Sequence, residues 1–196
     1  MAKDTRSRLV EAALPLFARN GYAGTNIREL SASLGLGKSS LYRHFESKDE
    51  LWNAMLDDLE AYYAEHFGSP QKLPPVPESM AALRELTLRM LDFTMHDEKI
   101  ILTRRILLTE QFRDERVCSL ATAHFVTGLE AMFTKLFAGM MENGSLKRGD
   151  AAMLAFVYTA PISALVQLCD REPDREAEVR ERLGAFIDHF TKTYGA

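Results

Sequence analysis

The chain has 196 residues, enough for one long domain or for a small domain joined to a larger one, and either buries enough surface to fold without disulfide staples. Hydrophobic residues make up 46% and charged residues 27%, and no run reaches the ~18 uninterrupted apolar residues of a membrane span, which predicts a soluble protein with no membrane partner. Net charge is -4, an average that argues against nucleic acid; yet residues 1–48 hold eight Lys or Arg against four Asp or Glu, a surplus of four that leaves the remainder at -8. A basic end on an acidic body fits a polyanion-binding module joined to something with another task, because phosphate contacts need positive charge only locally. The opening "MAKDTRSR" is polar with no apolar stretch behind it, which predicts a cytoplasmic protein. Cys118 and Cys169 lie far apart, with no CxxC and no histidine pair near them, so neither a zinc site nor a disulfide framework is expected.

Apolar residues recur at three and four almost throughout, which predicts an all-α protein. In "TRSRLVEAALPLFARNGY" the residues Leu9, Ala13, Leu16 and Phe17 form one stripe, and Gly21 is placed to cap the helix. Pro15 removes a backbone donor inside that helix and is expected to kink it. Thr25 has the side chain of an N-cap for a second helix, with Ile27, Leu30 and Leu34 on one face and Gly35 at its end. A short third helix is predicted from about Lys38 to Phe45, and a longer fourth over 47–67. The segment "GSPQKLPPVP" carries Pro70, Pro74, Pro75 and Pro77, too many donor-less residues for a helix, and reads as a connector. Beyond it five helical stretches are predicted, 78–96, 98–111, 114–142, 149–170 and 175–194, about nine helices in all. Gly144 is placed as a cap between two of them, and Asp174 after Pro173 as the N-cap of the last.

The stretch "LGLGKSSLYRHFESKDEL" contains Gly37, Lys38 and Ser39 in a row, the tail of a phosphate-cradling loop. A P-loop needs a glycine five residues earlier, where this chain has Ala32, and a strand before it, where this chain has an amphipathic helix. Helix, glycine-containing turn and short helix is instead the helix-turn-helix arrangement, which lays its second helix in the major groove of DNA. Lys38, Ser39 and Ser40 open that short helix, where they can reach bases or a phosphate, and Tyr42, Arg43 and His44 add donors beside them. Leu41 and Phe45, four apart, form its inward face. Arg28 stands three residues after Thr25, where a capping box has glutamate and where the helix dipole opposes a cation; a nearby phosphate or guanine reverses that penalty.

These residues carry a family resemblance. Residues 12–56, "AALPLFARNGYAGTNIRELSASLGLGKSSLYRHFESKDELWNAML", closely resemble the DNA-binding domain of the TetR family of bacterial transcriptional regulators: "LFARNGY", Thr25, "LSASLGL", "LYRHF" and "SKDEL" follow in order at the family spacing. The resemblance implies an N-terminal three-helix helix-turn-helix domain, residues 1–48, with 47–67 as a connecting helix, and a larger helical effector-binding and dimerisation domain over 49–196. It implies phosphate contacts by Thr25, Tyr42, His44 and Lys48, base readout by Arg28, Lys38, Ser39 and Arg43, and either role for Ser40, on double-stranded DNA with a palindromic operator.

The last two helices carry apolar stripes: Leu154, Val157, Tyr158, Ile162 and Leu165 on one, Val179, Leu183, Phe186, Ile187 and Phe190 on the other. The resemblance implies that they pair with their symmetry mates in a homodimer; as stripes alone they could equally face their own core. The middle helices are rich in methionine and phenylalanine, among them Met90, Phe93 and Phe133, with Thr94, His124 and Thr127 as polar residues on apolar stretches. Such residues fill a core, or together line an adaptable apolar pocket. The resemblance implies a cavity for a small, largely apolar effector, whose binding shifts the fourth helix and releases the DNA, most commonly by relief of repression. No HExxH, GxSxG or complete P-loop is present and the five histidines have no ligand spacing, so neither enzyme chemistry, a metal nor a cofactor is expected. A DNA-bound scaffolding protein that uses the same fold without an effector is the alternative.

Overall fold

The computed structural model describes residues 5–33, 35, 41–68 and 73–196, and the architecture is all-α; among these residues the only extended pairing is an isolated bridge between Leu146 and Gly195. Packing divides the chain into two units, Met1–His66 with Glu98–Cys118, and Phe67–Asp97 with Ser119–Ala196.

In the first unit, α1 spans Thr5–Gly24 and buries Leu9, Val10, Ala13, Leu14, Phe17 and Ala18. The backbone leaves helical angles at Gly21, the residue expected to cap the helix, where it enters the left-handed region at φ 69°. Pro15 lies on the exposed face, where its missing amide leaves no buried carbonyl unpaired. Helix α2 spans Ile27–Ser33, and Leu41 starts a tight turn in which its carbonyl accepts from the amides of His44 and Phe45, at 2.9 and 3.0 Å. Helix α3, Lys48–Phe67, begins on a capping arrangement: the Ser47 hydroxyl accepts from the Glu50 amide at 3.1 Å while the Glu50 carboxylate accepts from the Glu46 amide at 2.7 Å. Those bonds, that from the Glu46 amide first and Arg6 after it, hold the Glu50 carboxyl below its ordinary range.

Two helices of the middle region follow, α4 over Met80–His96, capped by Ser79, and α5 over Glu98–Glu110. The latter belongs to the first unit, where it packs on α1 and buries Ile100, Thr103, Arg104, Ile106, Leu107 and Glu110. Phe17, Tyr22 and Trp52 form an aromatic cluster with centroids 4.9 to 6.2 Å apart, and the Trp52 indole donates to Asp114 at 2.9 Å.

The single helix predicted over 114–142 is three pieces: α6, Glu115–Thr122, a π-helical segment, Ala123–Thr127, and α7, Gly128–Glu142. Periodicity has no sign for a one-residue irregularity inside an otherwise continuous helix, which is why the sequence shows none. Gly144, at φ 80°, then turns the chain into α8, Ala151–Arg171, whose first turn is capped by Asp150. The cap expected at Asp174 is absent: Pro173–Arg175 is a 3-10 turn, and α9, Glu176–Tyr194, begins without a side-chain cap bond. Arg175 there pairs with Glu172 and Glu178.

The core of the second unit is aromatic. Tyr158 is fully buried, with ring centroids of Phe190, Phe133, Phe137 and Phe186 at 4.6, 5.1, 5.4 and 5.7 Å. The Thr87 hydroxyl donates to the Leu83 carbonyl, so the 2.7 Å bond between Thr87 and Tyr158 has the phenol as donor.

A side chain at Gly21 would pay twice, through the left-handed backbone and through a Cβ 2.5 Å from the Glu110 carboxylate. Gly21→Ala is expected to lower stability by about 1–2 kcal/mol or more in urea unfolding; a change below about 0.5 kcal/mol would show that the break is not required.

Candidate nucleic-acid interface

The face of the first unit that carries the predicted DNA residues is built from the end of α1 onward. Asn26, not Thr25, caps α2: its side-chain oxygen accepts from the Arg28 amide at 2.9 Å and its carbonyl from the Leu30 amide at 3.1 Å. Thr25 is 4% exposed, and its hydroxyl is directed to the Gly21 carbonyl at 2.7 Å and the Leu16 carbonyl at 3.3 Å. Its proton is spent inside the protein, joining the end of α1 to the start of α2. Two adjacent residues of cap-forming type cannot be ranked by type alone, and burial chose between them.

Arg28 is exposed in the first turn of α2, beside Glu29, which is paired with Arg19 at 2.9 Å. Leu41 and Phe45 are fully buried, as their spacing predicts, and this orients the residues between them: Tyr42 and Arg43 are exposed and His44 is half-buried. Lys38, Ser39 and Ser40 lie outside the described residues. Lys48 extends over the Tyr22 ring, 4.4 Å from its centroid, and its ammonium reaches the Ala23 carbonyl at 3.5 Å. The Tyr22 hydroxyl bonds to Asp49, and burial, followed by that bond, pushes the phenol up to about 12, so it is a neutral donor at physiological pH. From α1, Arg6 stacks on Phe45 at 4.4 Å and pairs with Glu50 at 3.1 Å, bracing the turn that presents Tyr42 and Arg43.

The predicted effector residues are distributed over three elements. Met90, Phe93 and Thr94 are half-buried on α4, where the Phe93 ring packs on Phe67 at 5.5 Å. His124 and Thr127 belong to the π-helical segment, and Thr127 is exposed with its hydroxyl on the Thr122 carbonyl at 3.5 Å. Phe133 is 2% exposed between Phe137 and Tyr158 and is core, not a pocket wall. An open groove of about 720 Å³ is lined by Leu88, Arg89, Asp92, Phe93 and Arg180 among others, and shares only Phe93 with the predicted set. Among the described residues no group of three or more His, Cys, Asp or Glu is placed to hold a metal.

The predicted dimer stripe is mostly the wrong face. Tyr158, Ile162, Val179, Leu183, Ile187 and Phe190 are buried in the core of their own unit, and Leu154, Leu165 and Phe186 pack half-buried against it. Only Val157 is exposed. The exposed apolar surface of α8 is a second stripe that the sequence reading missed: Met153 at 57% and Phe156 at 53%, continued by Val157 and Ala160. Helix α8 is apolar on both sides, so periodicity could not choose a phase. It is long and apolar enough by length and composition to cross a membrane, with a mean hydropathy of 1.7 over 18 residues of which 39% are buried.

Residues 9–55 match the family model described as bacterial regulatory proteins, tetR family, the same stretch that holds the capped α2, the turn at Leu41 and the start of α3. Within that stretch the chain is similar to the N-terminal domain of TetR-family regulators. Similar relatives include the HTH-type transcriptional regulator AcrR of Shigella flexneri, 28% identical over 108 residues, and the HTH-type transcriptional regulator TtgR of Pseudomonas putida, 29% identical over 105 residues. These matches take in 55% and 54% of this chain but only 47% and 48% of AcrR and TtgR, so the chain spans about half the length of these relatives. The repressor KstR2 of Rhodococcus jostii is 28% identical over 143 residues, 71% of this chain and 64% of its own. These relatives are regulators of transcription, not enzymes. The TetR-like fold extends over nearly the whole chain. SmeT, the repressor of a Stenotrophomonas maltophilia multidrug efflux pump, solved as its triclosan complex, aligns with TM-score 0.73 at 19% identity over 99% of this chain and 93% of its own. A putative regulator from Saccharomonospora viridis bound to choline aligns with TM-score 0.70 at 18% identity, covering 97% of both chains.

Thr25→Val keeps the shape and removes the hydroxyl. It is expected to lower stability by about 1 kcal/mol in thermal or urea unfolding; unchanged stability would return Thr25 to the surface role its position first suggested.

Proposed function

We propose that the chain is a cytoplasmic, ligand-responsive transcriptional regulator: a repressor that binds a palindromic operator as a homodimer and leaves it when a small, largely apolar effector binds. The observation that carries the DNA half is the turn at Leu41–Phe45, whose two ends are buried while Tyr42 and Arg43 between them face outward, in a domain matched to the family and within residues 1–48, which carry a surplus of four positive charges. Arg28, Lys38, Ser39 and Arg43 read bases; Tyr42, His44 and Lys48 hold phosphates, and Ser40 serves either. Thr25 acts from beneath, by fixing where α2 starts.

A single module of this kind buries too little to be selective, and two copies reading half-sites ~34 Å apart multiply specificity. The partner is a second copy of this chain, seated on Met153, Phe156, Val157 and Ala160. Lipid would also cover an apolar ribbon, but the other side of α8 is packed into its own core around Tyr158 and is not free to face lipid. The effector half is supported by the methionine- and phenylalanine-rich middle helices and by two structural neighbours solved with small molecules, triclosan and choline. Met90, Phe93, Thr94, His124 and Thr127 remain its candidate contacts. A differential affinity of ~1–3 kcal/mol between two conformations of the body weakens operator binding 5- to 150-fold.

Selection of a randomised duplex library at ~150 mM salt is expected to return a palindrome with half-sites about one helical turn apart; no enrichment would remove the sequence-reading role. Against that duplex, Arg43→Ala should cost about 1–3 kcal/mol and relax preference at one position, while Lys48→Ala weakens all duplexes alike and lowers the salt slope by about 1. Equal losses on every sequence for both variants would refute this division. Phe156→Glu is expected to yield folded monomers in sedimentation velocity, and a dimer that survives it places the partner elsewhere.

A further inference from the structure

The DNA reading leaves unused the irregularity between α6 and α7. From Ala123 to Thr127 the chain winds as a π-helix, and the amide of Gly128 donates to the carbonyl of Ala123, five residues back, not to that of His124. Such turns are rare and concentrate at functional positions. One residue of an α-helix corresponds to about 100° of rotation and 1.5 Å of rise. Gain or loss of a π turn in a chain of fixed length therefore rotates the upstream helix against the downstream one.

Three features of the sequence accommodate the π form. A Cβ on Gly128 would lie 2.6 Å from the Ala123 carbonyl oxygen, a backbone atom that cannot give way. The Ser163 hydroxyl of α8 donates to the Phe125 carbonyl within the segment at 3.2 Å, and the Thr127 hydroxyl to the Thr122 carbonyl. None of Ala123–Thr127 is buried, so core packing does not impose this winding on them. Conversion to an α turn exchanges one acceptor for another, Ala123 for His124, and leaves the number of backbone bonds unchanged. Within the segment itself, hydrogen-bond number does not decide between the two windings and no fully buried side chain does, so the choice between them is open to bias from the elements on either side.

The place of the segment in the chain gives the switch something to act on. Upstream, the first turn of α6 is fastened within the first unit: Asp114 accepts from Trp52 at 2.9 Å, Arg116 pairs with Asp57 and Glu60 on α3, and Val117 is fully buried. The two units part between Cys118 and Ser119. Downstream, α7 lends Met132, Phe133, Leu136, Phe137 and Met140 to the core of the second unit. The segment lies on the covalent path from a helix held by the DNA-reading unit to a helix that builds the core of the other.

We propose that Ala123–Gly128 is a register switch, in which interconversion of the π and α windings turns α6 against α7 by one residue and so couples the second unit to the DNA-reading unit. This rests on the proposed DNA-reading role. Two variants of the full chain separate it from ordinary damage to a helix. Gly128→Ala penalises the π winding without changing the chain length, and drives α6 into the rotated register. Deletion of the exposed Val126 lets the segment wind as α with its flanks in their present register. Affinity for the library-selected duplex should change by at least about five-fold in Gly128→Ala and stay within about two-fold of the parent in the deletion. Equal losses in both, or no change in either, would overturn the switch. Should Gly128→Ala not fold, hydrogen exchange of the parent decides: saturating duplex must alter protection of the amides of residues 123–128, and unaltered protection refutes the coupling. A parent that binds no duplex at all fails earlier, at the DNA reading itself, and takes this inference with it.

Discussion

The first unit is organised by the interruption of α1 at Gly21. A helix that ran on would carry Tyr22 and Thr25 past the sites they occupy; the left-handed residue turns the chain so that three bonds can close around it. The Thr25 hydroxyl and amide both reach the Gly21 carbonyl, and the Tyr22 amide donates to Glu110 at 3.3 Å. Glu110 is only 3% exposed, and a buried carboxylate is costly unless donors face it, so the site holds the break as firmly as the break holds the site. Tyr22 then carries Lys48 on its ring and Asp49 on its hydroxyl, which ties the start of α3 to the same point.

The second unit is organised by a different constraint, the filling of space around one phenol. Tyr158 is surrounded by four phenylalanine rings, and its single polar atom is satisfied by Thr87, itself bonded to its own helix. Aromatic packing of this kind fixes α7, α8 and α9 through large contact areas and preferred ring geometries. It leaves the opposite side of α8 with apolar residues, Met153 and Phe156 among them, that stay exposed among the described residues.

Much of this was legible in the sequence, for reasons that also mark the limit. Helix ends came through where proline or glycine punctuated them: the connector before α4 and the turn at Gly144. Inward Leu41 and Phe45 followed from their spacing of four. The faces of α8 did not, because a helix apolar on every side has no phase to read, and Met153 and Phe156 were passed over for residues now seen in the core. Asn26 and Thr25 are both cap formers and differ only in what surrounds them in space. The π turn rests on a glycine whose reason is a carbonyl five residues away.

The uncovered ribbon on α8 has a consequence for the life of the protein as well as for its assembly. Apolar surface left in water by a folded chain makes the stability of that chain a function of what else is present, since anything that covers the ribbon in the native state and not in the unfolded one raises the population of the native state by mass action. On the proposed self-association the protein has no single melting temperature, only one for each concentration, and a newly made chain keeps Met153 and Phe156 in contact with solvent until a second copy meets them.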